Sequence, residues 1–231
     1  MRRAKESSKK TAEHLVFLPL LIYIIESYQK SGLIYLPMNK YLLSFTAATV
    51  LPADMRLIAR EHSRYQSWDA LLQNISFEIV LGRRTLSTSK RIGLELVRRL
   101  RSLDEQELSS LVEADPADTK ALSWVAVCRT YAFIRDFMIE VVRDRYLAGA
   151  REVTATDYAA FFSQKTIFHP ELLSISETTQ NKLRQVLFKM MEEVDIMEKK
   201  TYIVPTILSS HLMSILPYED YAYFPMFVRE N

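Results

Sequence analysis

The stretch from Leu81 to Leu103, LGRRTLSTSKRIGLELVRRLRSL, constrains the fold more than any other part of this chain. Its apolar residues Ile92, Leu96, Val97, Leu100 and Leu103 recur at the period of an amphipathic helix, predicted to run from about Ser89 to Leu103. Upstream, Trp68, Leu71, Leu72, Ile75, Ile79 and Val80 repeat at helical spacing, and Gly82 stands where a helix-ending glycine belongs. Two helices joined by a short turn need other helix faces to cover their apolar stripes. Four glycines in 231 residues is a low number for a β-rich chain, whose turns use glycine heavily. The predicted class is all-α: a multi-helix globular domain with at most a short extended segment near Tyr202–Pro205.

The flanking sequence supports that class. A short helix or turn over Leu42 to Val50 precedes Pro52-Ala53-Asp54, which starts a helix with Met55, Ile58 and Ala59 on its apolar side. Asp104 to Asp118 holds six acids and no basic residue, with a short helix around Leu108, Leu111 and Val112 expected to end near Pro116. A long core helix, with a bend partway along it allowed for, is predicted next, capped at Asp118 or Thr119 and closed by Gly149, with Leu122, Val125, Ala126, Phe133, Phe137 and Val142 among its apolar residues. Thr154-Ala155-Thr156-Asp157 resembles a capping box before a helix over Tyr158 to Phe168, stopped by His169-Pro170. Ser176 caps a further helix whose Leu183, Val186, Leu187, Met190, Met191 and Val194 share a face. Leu208 to Leu216 reads as a short helix, and the aromatic tail Tyr218–Asn231 as a loosely ordered end.

Three segments are expected: an extension over 1–37, a helical half over 38–149 and a second half over 150–231. The extension carries a basic start and then LVFLPLLIYII, Leu15 to Ile25. Eleven apolar residues fall short of the roughly 20 that a membrane-spanning helix needs. Glu26-Ser27-Tyr28-Gln29-Lys30 offers no small-residue cleavage site. The extension therefore reads as a docked hydrophobic helix or as sequence upstream of a functional start at Met38, with no membrane partner. The single Cys128 excludes an internal disulfide framework and fits a reducing cytoplasm.

Nothing in the residue pattern points to catalysis. His14, His62, His169 and His211 are scattered, without metal-ligand spacing to Cys or acids, and no two glycines lie close enough for a phosphate loop. Cys128 sits mid-helix among apolar residues, where a thiol behaves as a small hydrophobe. No catalytic residue, metal or cofactor is expected.

The basic residues are another matter. Arg83, Arg84, Lys90, Arg91, Arg98, Arg99 and Arg101 face a single acid, Glu95, whereas the net charge of the whole chain is only +2. The predicted site is a phosphate-contacting surface. Arg83 and Arg84 come from the turn, Ser87, Thr88 and Ser89 offer hydroxyls and helix-start amides, and Lys90, Arg91 and Arg98 come from the helix. Arg91, Glu95, Arg98 and Arg101 are placed opposite the apolar stripe. The outline, a short helix, a tight turn and a basic helix, is that of helix-turn-helix. The competing reading is a solvated helix face neutralised by the acidic 104–118 segment folding back. A second basic set, Arg129, Arg135, Arg143, Arg145 and Arg151, alternates with Asp136, Glu140 and Asp144 and reads as surface ion pairs.

These stretches carry a family resemblance. The Trp68 helix followed by LLQNISFEIVLGRRTLSTSKRIGLELVRRLRSL resembles the signature region of the BrxA family, small core proteins of BREX phage-defence systems. AVCRTYAFIRDFMIEVVRDRYL (Ala126–Leu147), SETTQNKLRQVLFKMMEEVDIME (Ser176–Glu198) and YIVPTILSSHLMSIL (Tyr202–Leu216) are similar to its central and C-terminal segments. The resemblance runs from about Tyr41 to Leu216. It implies an all-helical fold, partly similar to the NusB-type RNA-binding antitermination domain, and a non-enzymatic accessory role. The partners it implies are duplex DNA or RNA and other BREX components. The alternative is a protein–protein adaptor that docks through an aromatic patch of Tyr218, Tyr221, Tyr223, Phe224 and Phe227. No heptad run argues for a dimer, so a monomer is expected.

Overall fold

The computed structural model describes residues 40–65 and 67–227; the 1–37 extension lies outside the described residues. The chain divides into two units. The larger comprises Tyr41–Phe161 with Ser176–Asn231, and the described part of the smaller is Lys40 with Phe162–Ile175. Among the described residues there are eleven α-helices and one two-stranded sheet. The all-α prediction holds.

In the larger unit α1 (Pro52–His62) is the hub. Pro52 occupies its first turn, where the missing N–H costs nothing, and Met55, Ile58 and Ala59 are buried as predicted. Glu193 caps it from a distance: its carboxylate accepts the amides of Val50 at 2.8 Å and Leu51 at 3.0 Å. The short helices α2 (Trp68–Asn74) and α3 (Phe77–Leu81) lead into α4 (Leu86–Leu100). Helices α5 (Glu105–Glu113) and α6 (Pro116–Thr130) follow. Helix α1 packs on α3, α4, α5 and α6.

The single helix predicted over 68–81 is two. Ile75 is extended, the Asn74 side chain takes the Ala70 carbonyl at 2.8 Å, and Ser76 precedes α3. The break turns Phe77 inward and leaves Ile79 83% exposed. Phe77 lies against Gly93 of α4, where a Cβ would overlap its ring. Gly82 closes α3 in the left-handed conformation at φ 57°, as predicted.

Helix α5 ends at Glu113, near Pro116 as expected, but α6 starts at Pro116 and is capped by Asp115, which accepts the amides of Ala117 and Asp118, and not by Asp118 or Thr119. The predicted long core helix is interrupted at Tyr131, where Thr130 Oγ1 donates back to the Ala126 carbonyl at 2.8 Å. It resumes as α7 (Ala132–Phe137), passes through a π turn at Met138–Arg143 and ends in α8 (Asp144–Leu147). Helix α9 (Ala155–Lys165) starts with the predicted capping box: Asp157 accepts from the Thr154 amide at 2.7 Å. It begins three residues earlier than the sequence pattern indicated. Helix α10 (Glu177–Glu193) is capped by Ser176 and buries Leu183, Val186, Leu187, Met190 and Met191. The strands β1 (Met197–Glu198) and β2 (Tyr202–Ile203) pair antiparallel, and backbone bonds from Val153 to Thr201 and Ile203 to Arg151, both 2.8 Å, tie the chain after α8 to this turn.

Phe133, Phe137, Tyr158 and Phe161 meet edge-to-face at centroid separations of 5.2 to 6.2 Å, and Phe45 packs edge-on to Tyr131 at 5.7 Å. Helix α11 (Ser210–Ile215) and a 3₁₀ turn at Tyr218–Tyr223 follow. The tail is not loose: Asp220, Tyr221, Tyr223, Phe224 and Met226 are buried, and Trp124 Nε1 donates to the Tyr223 carbonyl at 3.0 Å. In the smaller unit the end of α9 runs into a 3₁₀ turn at Pro170–Ser174, where His169 Nδ1 lies 3.3 Å from Glu171 Oε1. No helix among the described residues is long and apolar enough to cross a membrane.

Candidate functional site

Thr85, not Ser87–Ser89, caps α4: its hydroxyl accepts the Thr88 amide at 3.2 Å, and the first α-helical bond runs from Ser89 N to Thr85 O. The helix therefore starts a turn earlier than the charge pattern indicated. Ser87 and Thr88 fall in its first turn, and the Leu86 and Ser87 amides stand ahead of that first bond. Ser87 is exposed, Thr88 is half-buried, and Ser89 is fully buried with its hydroxyl unpartnered among the described residues.

The basic residues sort into two groups. Arg83 leaves the turn to pair with Asp54 in the first turn of α1. Arg99 is wholly buried: Nε donates to Glu95 at 2.8 Å, and its terminal nitrogens donate to the carbonyls of Thr49 at 2.6 Å and Ala48 at 2.9 Å. Tyr131 OH donates to the same Glu95 oxygen, and the Tyr131 ring lies under the Arg99 guanidinium, its centroid 5.6 Å from Arg99 Cζ. Burial first, and then the Glu95 carboxylate, raise the Tyr131 pKa and keep it a donor. Glu95 thus belongs to the interior and not to the outer face. Arg98 is half exposed, reaching Ser44 Oγ at 3.0 Å and Glu95 at 3.4 Å.

Arg84, Lys90 and Arg91 form the second group. All three are exposed, and among the described residues none has an ion pair or hydrogen bond. With Leu94 in the place expected for Glu95, the residues Ser87, Arg91, Leu94, Arg98 and Arg101 follow one another at offsets of four, three, four and three along one exposed face. Over the 15 residues of α4 this stripe extends about 22 Å, the axial length of about six base pairs.

The acidic segment makes no ion pair with the stripe among the described residues; Arg101 pairs instead with Asp69 at 3.4 Å. Asp104 and Glu107 make a reciprocal capping box on α5, Asp115 caps α6, and Asp118 accepts from Ser209 at 2.8 Å. Glu107 also pairs with Arg129, which the sequence pattern placed in a surface ion pair. Arg129 instead bridges two buried acids, Glu107 (0% exposed) and Asp220 (2%), and donates to the Ser102 carbonyl at 2.9 Å. Of the remaining members, Arg135 pairs with Asp136 at 3.2 Å and Arg145 with Asp157, whereas Arg143 and Arg151 make no ion pair among the described residues and Arg143 Nε is buried without a hydrogen-bond partner. Cys128 is fully buried, which pushes its thiol pKa up and away from nucleophilic use. Among the described residues no cluster of His, Cys, Asp or Glu could hold a metal ion. The aromatic patch that an adaptor would use is divided: Tyr221, Tyr223 and Phe224 are buried, while Tyr218 and Phe227 are exposed.

Fold and site together define an all-helical protein in which Lys90 and Arg91 of α4, with Arg84 in the turn before it, are exposed and unpaired among the described residues. The BrxA family profile matches residues 39–220. The chain belongs to the BrxA family. It is 25% identical over 116 residues to the BREX protein BrxA of Bacillus cereus (strain H3081.97), a match covering 50% of this chain and 58% of that protein. It is 25% identical over 107 residues to the BREX protein BrxA of Escherichia coli O9:H4 (strain HS), covering 46% and 50%. The chain thus spans about half the length of the curated relatives it matches. A crystal structure of an uncharacterized protein from Magnetospirillum magneticum superposes with a TM-score of 0.69 at 20% identity, over 80% of this chain and 96% of that one, and shares its fold.

Proposed function

We propose that this protein is a non-enzymatic component of a BREX phage-defence system that binds duplex DNA, chiefly through phosphates, with the outer face of α4. The exposed, unpaired set Arg84, Lys90 and Arg91, continued by half-exposed Arg98, carries this reading. The fold pairs Arg83 with Asp54 and Arg129 with Glu107 across long sequence separations, whereas Arg84, Lys90 and Arg91 are left unpaired among the described residues. The site is narrower than the one read from the sequence. Arg83 is tied to Asp54 and Ser89 is buried, which leaves Arg84, Ser87, Lys90, Arg91 and Arg98 to face the backbone, with Thr88 at their edge.

Four such contacts give a log–log salt slope of about −3.6. The test is duplex binding of the full chain by fluorescence anisotropy between 50 and 200 mM salt (about the range in which such contacts weaken), against Arg84→Glu/Lys90→Glu/Arg91→Glu. None of these three side chains has a partner among the described residues, so the variant keeps its fold. Loss of salt-sensitive binding is expected. A flat salt response in the wild-type chain, or full binding by the variant, refutes the proposal.

A further inference from the structure

The stripe ends at Arg101, and beside it lies a cleft of about 750 Å³ whose walls are chemically unlike the rest of the face. His62, Trp68, Asp69, Arg101, Asp104 and Glu105 line it, over apolar Leu103 and Leu108. Trp68 is half-buried and stacks on the His62 ring at 3.8 Å and 25°. Burial lowers the His62 pKa, so at neutral pH this is an uncharged aromatic pair. Asp69 is 88% exposed and only 3.4 Å from Arg101.

Three carboxylates repel phosphate, so a nucleotide fits only with its base inward and its phosphate at Arg101 on the rim. An aromatic face offers stacking to any base, and carboxylates accept hydrogen bonds from exocyclic amino groups. From this we infer that the Trp68 cleft receives an unpaired base bearing an exocyclic amine, at the end of a duplex held along α4. The inference rests on the DNA reading of the stripe. The protein then binds a duplex with a single-stranded end more tightly than a blunt one and prefers cytosine to thymine, whose O4 would meet the carboxylates as a second acceptor.

The chain has two tryptophans, and Trp124 is fully buried, so quenching on DNA binding reports Trp68. The full chain is titrated with a blunt duplex and with the same duplex carrying a dC or a dT overhang. The dC overhang is expected to quench fluorescence and bind about 5- to 150-fold more tightly than the blunt end, the span of one stacked base. Trp68→Ala should abolish both effects and leave salt-dependent blunt-duplex binding in place. Normal blunt-duplex binding with no overhang preference and no quenching in the wild-type chain overturns the cleft alone. Absence of salt-dependent binding to any of the DNAs overturns the stripe and the cleft together.

Discussion

Gly93 lets the basic helix lie against the Phe77 ring where a Cβ would not fit, and Gly93→Ala sets two opposed effects against each other. In an ordinary helix interior the change stabilises by about 1 kcal/mol, because alanine is the better helix former. Here a Cβ would fall about 1 Å or more inside the usual carbon–carbon separation of about 3.5–4.0 Å from Phe77 Cγ, Cδ1 and Cε1. Overlap at Cγ, next to the backbone, is not relieved by rotating the ring, so α3 itself must move. Overpacking of this kind costs about 3 kcal/mol at the upper end of its usual range. The net expectation is a loss of about 2 kcal/mol, or a fall in Tm of about 4–8 °C for a chain of this length. Thermal melts followed by circular dichroism measure it. Phe77→Leu, which removes ring volume, should make Gly93→Ala less damaging in the double variant than the single effects sum to. Gly82→Ala is the control: it has open space but a left-handed backbone, costs about 1–2 kcal/mol and shows no coupling to Phe77. A Gly93→Ala chain as stable as wild type, or additivity with Phe77→Leu, refutes the packing argument.

Two further outcomes follow from the buried charges. Arg99→Met leaves Glu95 buried without its partner and should cost about 3–5 kcal/mol in denaturant unfolding, with part recovered when Glu95→Gln is added; a neutral Arg99→Met would show that the pair is not buried in solution. Burial alone would raise the Asp157 pKa, but the Thr154 amide and hydroxyl together with Arg145 outweigh it and hold the carboxyl below its ordinary range. A depressed folded-state pKa contributes stability that is present above the unfolded value of about 3.9 and is lost as pH falls through the folded one. Asp157→Asn should therefore lower stability at pH 7 and flatten the decline below about pH 4, whereas an unchanged acid limb removes Asp157 from that account.

What was legible in the sequence follows from how local each signal is. Pro52, Gly82, the Thr154–Asp157 box and Ser176 act within four residues, and all of them stand where the sequence placed them. The break at Ile75 escaped, and the bend allowed for in the long helix was not placed at Tyr131, because apolar periodicity continues through both. The first serves Phe77 against Gly93, and the second accompanies a Thr130 side-chain bond that periodicity does not report. The tail escaped because Asp220 is held by Arg129, 91 positions earlier, and the Tyr223 carbonyl by Trp124, 99 earlier.

The basic stretch was legible in the sequence, but which of its charges stay unpaired in the fold was not. Helical offsets state which residues share a face, yet Glu95 was drawn inward by Arg99 on its own helix and by Tyr131, 36 positions away. Arg99 in turn answers to carbonyls about 50 positions earlier. A count of seven basic residues against one acid therefore overstates the surface, because Arg83 and Arg99 are spent inside the fold. Charge density alone does not locate an interface. The interface proposed on α4 rests on the charge that remains after every partner in the fold has been assigned, and on that remainder the expected salt slope depends.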